Sequence, residues 1–130
     1  MAMEKIDLPG SMDSPRIILD KDANLFEISG KSLPENVNSF YGPIIGWFEE
    51  YFKAPNAETL VTMRMDYINT ASSKILLSLF LMFEKASLEG KKIKVNWFYQ
   101  EDDEDMYDVG EEYAEIVNVP FEIIAYDADE

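Results

Sequence analysis

The chain has 130 residues, with 26 acids against 11 bases, a formal net charge of −15, and neither cysteine nor histidine. That length suits a single domain over residues 1–130, and a composition 47% hydrophobic and 13% aromatic is too apolar for a disordered chain. Without cysteine or histidine there is no disulfide framework, zinc knuckle, thiol chemistry, histidine general base or Ser-His triad. There is also no glycine-rich phosphate loop and no G-x-S-x-G elbow, and no catalytic residue, metal or cofactor is expected.

The charge is uneven. Residues 1–100 carry 13 acids and 11 bases, whereas residues 101–130 carry the other 13 acids and no base. Nucleic acid and anionic membranes need a basic footprint, so neither is expected as a partner. No run of about 18 apolar residues and no leader of basic and apolar regions is present, which predicts a cytoplasmic protein.

Leu8-Pro9-Gly10-Ser11 and Ser14-Pro15 read as extended turn material. Arg16–Asp20 and Leu25–Ser29, four residues apart, read as an antiparallel hairpin. A loop follows from Gly30 to Asn36. Val37, Phe40, Tyr41, Ile44, Ile45, Phe48 and Phe52 then fall at i, i+3, i+4, i+7, i+8, i+11 and i+15, one stripe of a helix with Asn36 as N-cap. Pro43 interrupts that stripe, and an interior proline implies irregular first turns or a kink.

Leu60–Ile68 alternates, with Val61, Met63, Met65 and Tyr67 on the apolar row and Thr62, Arg64 and Asp66 on the other. Thr70–Leu88 is read as a buried helix, closed by Gly90. Ile93, Val95, Trp97 and Tyr99 mark a second alternating strand, Met106–Val117 a third helix, and Phe121–Tyr126 a last strand. The order ββαβαβαβ predicts an α/β two-layer sandwich: a mixed, mostly parallel sheet with helices mainly on one face.

Asp66-Tyr67-Ile68-Asn69-Thr70-Ala71-Ser72-Ser73-Lys74 spans the junction of a central strand and the buried helix. Unpaired N–H groups and the positive end of the dipole make a helix start hospitable to a phosphoryl group. Lys74, four residues after Thr70, shares its helical face. Asn69 or Thr70 as an ordinary cap among small packing residues explains the same spacing, so both readings stand.

With these features the sequence resembles the SiaC-type regulatory phosphoproteins of bacteria. The resemblance rests on Leu8-Pro9-Gly10 with Ser14-Pro15, Pro34-Glu35-Asn36 ahead of Gly42 and Trp47, Tyr67-x-Asn69-Thr70-x-Ser72 with Lys74, and Trp97-x-Tyr99. It implies a STAS-like fold and a phosphorylatable threonine at Thr70, served by a dedicated protein kinase and a PP2C-type phosphatase. It further implies that the unphosphorylated form binds and activates a diguanylate cyclase, in cyclic-di-GMP signalling and biofilm regulation. On this reading Asn69, Thr70, Ser72, Ser73 and Lys74 form the partner-binding surface. Ala71 stands where relatives can carry a serine.

The acidic stretch Glu101–Asp105 lacks the glycine and closing glutamate of a calcium loop, and reads as a solvated helix start. Arg64 and Asp66 share a polar row as a structural pair. Met63, Met65 and Met82 read as core filler, Trp47 and Trp97 as core or rim aromatics. Two rivals to the switch remain: a small-ligand-binding module or an enzyme using carboxylates such as Asp66, and a structural interaction subunit without phospho-regulation.

Overall fold

The computed structural model describes residues 3–127. Six strands, β1 (Ile6–Leu8), β2 (Arg16–Asp20), β3 (Leu25–Ser32), β4 (Thr59–Ile68), β5 (Ile93–Gln100) and β6 (Phe121–Tyr126), form one sheet in sequential order. Three helices, α1 (Val37–Tyr51), α2 (Thr70–Leu88) and α3 (Glu104–Ile116), connect β3 to β4, β4 to β5 and β5 to β6. Strands β1 to β3 pair antiparallel and β3 to β6 pair parallel. Three right-handed crossovers advancing in one direction must lay all three helices on one face. The expected α/β two-layer sandwich is what forms. Because the strand order never reverses, it has no switch-point crevice of the kind that holds nucleotides in doubly wound sheets.

The covered face of the sheet carries Ile17, Leu19, Phe26, Ile28, Val61, Met63, Met65, Val95 and Trp97, all buried against Tyr41, Ile44, Phe48, Leu76, Leu79, Phe80 and Phe83 of the helices. Aromatic contacts knit the layers: the Phe26 and Tyr51 rings lie 5.0 Å apart, as do Phe48 and Phe83, and Phe80 and Tyr113 lie 4.9 Å apart. Both tryptophans belong to this core, and each indole N–H is satisfied by a carbonyl, Trp97 Nε1 by Met106 at 3.0 Å and Trp47 Nε1 by Glu4 at 2.8 Å.

Several sequence expectations change. The loop expected from Gly30 begins later, because Gly30, Lys31 and Ser32 pair with β4 and continue β3. Residues around Leu8 are not merely turn material, because Ile6–Leu8 pairs with Ile17–Leu19 as an edge strand; three residues are too few to show a period. Helix α1 runs unbroken through Pro43. The missing proline donor orphans the carbonyl of Ser39, but Ser39 and Pro43 are both exposed, so water can take its place. Helix α3 starts two residues early, at Glu104, because Asp103 Oδ1 accepts from Met106 N at 3.1 Å and caps it. Lastly, Tyr67 leaves the apolar row. Gly30 is opposite Met65 and Lys31 opposite Tyr67, so β4 carries one extra residue there, a bulge that turns Tyr67 outward to 47% exposure.

Candidate phosphoacceptor and docking site

That bulge re-aims the chain as β4 passes into α2. Asn69, extended at φ −80° and ψ 171°, is the N-cap: its Oδ1 accepts from Ser72 N at 2.8 Å, and its carbonyl accepts from Ser73 N at 2.9 Å. Its own N–H donates to Ser32 O at 3.0 Å, tying the cap to the end of β3. Thr70 is the first helical residue and is exposed. The N–H groups of Thr70 and Ala71 precede any intrahelical acceptor and join the positive end of a 19-residue helix. Lys74 is exposed on the next turn, on the face of Thr70. A dianion on the Thr70 hydroxyl would therefore meet helix donors and an ammonium.

Beneath the surface lies a chain of buried hydroxyls. Ser32 Oγ donates to Ser72 Oγ at 2.8 Å and is 2.6 Å from the hydroxyl of Tyr41, which must then be the donor in that contact. Burial pushes the Tyr41 phenol up to about 12, with the Ser32 hydrogen bond pulling the other way. Across the helix, Tyr113 OH donates to Ser73 O at 2.8 Å, and Ser73 Oγ sits 3.1 Å from the same phenol oxygen. Burial likewise raises the Tyr113 pKa. Both phenols are thus protonated donors at neutral pH, fixing the first turn of α2 to α1 and β3 on one side and α3 on the other.

This arrangement corrects the expected docking surface. Ser72 is fully buried and spends its hydroxyl on Ser32, so no partner can touch it. Ser73 is half-buried against Tyr113, at the rim. Asn69, Thr70 and Lys74 remain toward solvent. Tyr41, Ser32 and Tyr113 escaped sequence reasoning because their contacts span distant chain segments, yet the burial of Ser72 was readable: it lies four residues before Leu76 on the stripe that continues through Leu79, Phe80 and Phe83.

Other motifs converge on this end of the sheet. Leu33 N donates to Asp13 O at 2.9 Å, which brings the Ser11–Ser14 turn beside the end of β3, and Lys31 pairs with Tyr67. The acidic loop Glu101–Asp105 leaves β5 at the same end, where Gln100 Nε2 approaches Asp66 Oδ1 at 3.4 Å. Arg64 and Asp66 form no ion pair among the described residues. Arg64 lies instead over the rings of Tyr126 at 4.6 Å and Phe98 at 5.4 Å on the open face. Among the described residues no three acid, His or Cys side chains are grouped to hold a metal, and no helix is long and apolar enough to cross a membrane. A hollow of about 720 Å³, lined by Leu60, Ile93, Lys91, Lys92, Lys94 and Pro120 among others, lies at the opposite end of the strands from Thr70.

The model of the SiaC family of regulatory phosphoproteins matches residues 8–126. An uncharacterized protein of Pseudomonas aeruginosa (strain UCBPP-PA14) is 29% identical over 125 residues, 96% of this chain and 99% of that one. Among solved structures, SiaC of Pseudomonas aeruginosa superposes with a TM-score of 0.88 at 27% identity, covering 95% of this chain and all of the other. SiaC taken from a complex with the diguanylate cyclase SiaD, of which it is the activator, gives a TM-score of 0.88 at 28% identity over 93% of this chain and 99% of that one.

Proposed function

Because the chain belongs to the SiaC family of regulatory phosphoproteins, we propose that it is a non-catalytic switch: phosphorylated on Thr70, and in its unphosphorylated form docking on and regulating a diguanylate cyclase. The observation that carries this reading is the exposure of Thr70 at the start of α2, with the N-cap, one buried hydroxyl link and one half-buried one holding the turn beneath it. A modifying enzyme can reach the hydroxyl without unfolding anything. A dedicated kinase would add the phosphate and a PP2C-type phosphatase remove it. The cyclase as effector is supported by the SiaC–SiaD complex of the relative.

The physics of the off state is local. Phosphorylation adds about −1.5 to −2 charges and three acceptor oxygens. Held by the free N–H groups of the helix start and by Lys74, the phosphate would lie across the surface formed by Asn69, Thr70 and Lys74. An effector shaped for a neutral threonine would then have to desolvate a dianion and accommodate its bulk. Replacing Thr70 tests this. Thr70→Ala should stay bound to its cyclase whatever the kinase does, and Thr70→Glu should bind poorly. Wild-type binding by both variants would discard the switch.

A further inference from the structure

The two edges of the sheet differ. Strand β1 is three residues long and followed by Pro9, a short and interrupted edge that discourages pairing. Strand β6 is twice as long, and although Pro120 stands just before it, no proline lies within it. It reads Phe-Glu-Ile-Ile-Ala-Tyr, and its one charge, Glu122, is held by Lys94 at 2.7 Å. Ile123 and Ile124 are half-buried and Ala125 is exposed.

Its hydrogen-bonding sense is fixed by two contacts. Val95 N donates to Pro120 O and Glu101 N to Tyr126 O, both at 2.9 Å, so the even-numbered residues of β6 turn their backbone groups toward β5. Backbone N–H and C=O groups alternate sides along a strand, so Phe121, Ile123 and Ala125 point theirs outward. Outward groups on a strand edge are a template for another strand.

We infer that β6 is a self-association edge, pairing antiparallel with β6 of a second copy about a two-fold axis at Ile124. Only a register that sets odd residues opposite odd residues joins the outward groups. Centred on Ile124, it pairs Ile123 with Ala125 of the second copy and Glu122 with Tyr126, so no like charges are opposed. Charge favours the same arrangement. The acidic loop Glu101–Asp105 is fastened to the end of β6, whereas the hollow at Pro120, where β6 begins, is lined by Lys91, Lys92 and Lys94 together with Glu58; Lys91 and Lys94 are paired with Glu89 and Glu122, so acids and bases balance at that end. Antiparallel pairing sets the acidic end of each copy beside the balanced end of the other; parallel pairing would set acid on acid.

The chain's lack of cysteine makes the test clean. Opposed residues of a non-hydrogen-bonded antiparallel pair have Cα atoms about 4.5 Å apart, within disulfide reach. Ile124→Cys should therefore oxidise to a covalent dimer well before Leu60→Cys, which is exposed on another strand. Light scattering should show the wild type rising from 15.0 kDa toward twice that mass as it is concentrated to about 1 mM, a range suited to small interfaces. Ala125→Pro removes only an outward N–H, so it should keep the wild-type circular dichroism and melting point and remain at monomer mass. A wild type that stays monomeric, an Ala125→Pro variant that dimerises equally, or an Ile124→Cys variant that crosslinks no faster than Leu60→Cys would overturn the inference.

Discussion

Two glycine-to-alanine substitutions should move stability in opposite directions, for reasons set by what each new methyl would meet. Gly110 in α3 is buried over the indole of Trp97: a Cβ there would stand 2.5 Å from Cδ1 and 2.7 Å from Nε1. Carbon contacts settle at about 3.5–4.0 Å, so ring and helix must part by about 1 Å. The ring has little room to yield. It is fully buried, hydrogen-bonded to Met106 O, and packed against Tyr113 and Phe121. Overpacking costs about 1–3 kcal/mol, and an approach this short to a ring this fixed falls in the upper part of that range, about 2–3 kcal/mol, against which alanine returns about 1 kcal/mol of helix propensity. A net loss of about 1–2 kcal/mol should lower the melting temperature by about 4–7 °C in a chain of this size. Gly46 in α1 meets nothing within 4 Å. Gly46→Ala should therefore gain about 0.4–1 kcal/mol and melt higher. Thermal unfolding followed by circular dichroism reads both. A Gly110→Ala protein that melts at or above the wild type would refute the close α3–β5 approach, and with it the placing of Tyr113 against Ser73.

The remaining predictions concern the ground beneath the site. Asn69→Ala removes the acceptor of Ser72 N and should cost about 1 kcal/mol, whereas Asn69→Gly should cost only a few tenths; denaturant midpoints decide it. The Tyr41 phenol is raised from 10.0 to about 12 by burial, so its contribution to stability is whole below pH 10 and is lost as the pH climbs through 12. Urea midpoints measured across that window should fall for the wild type and fall less for Tyr41→Phe. Tyr113, shifted in the same direction, keeps part of the slope.

How much of this was legible depended on whether a feature leaves a period in the chain. The stripe from Val37 to Phe52 and the alternation through Val61, Met63 and Met65 arise because each element buries one face, and burial writes itself into spacing. The Asn36 cap was visible, and the second was narrowed to Asn69 or Thr70, because capping is a local contact. Tyr67 was misplaced because a bulge is a property of the pairing between β3 and β4, not of either strand alone. The Tyr41–Ser32–Ser72 chain was out of reach for the same reason: its hydroxyls come from α1, β3 and α2. Within the site, the residue facing solvent and the residue facing the core are only two positions apart. The apolar stripe of α2 already distinguished them, placing Ser72 inside, while the hydroxyl-rich composition alone suggested a single surface.

The most direct measurement is a titration of a diguanylate cyclase partner with two homogeneous forms of this protein, one unmodified and one carrying phosphothreonine at position 70. The account predicts that the unmodified form binds and that the phosphorylated form binds at least about tenfold more weakly, a difference of about 1.4 kcal/mol, with unchanged circular dichroism in both. Equal affinities, or tighter binding by the phosphorylated form, would contradict it.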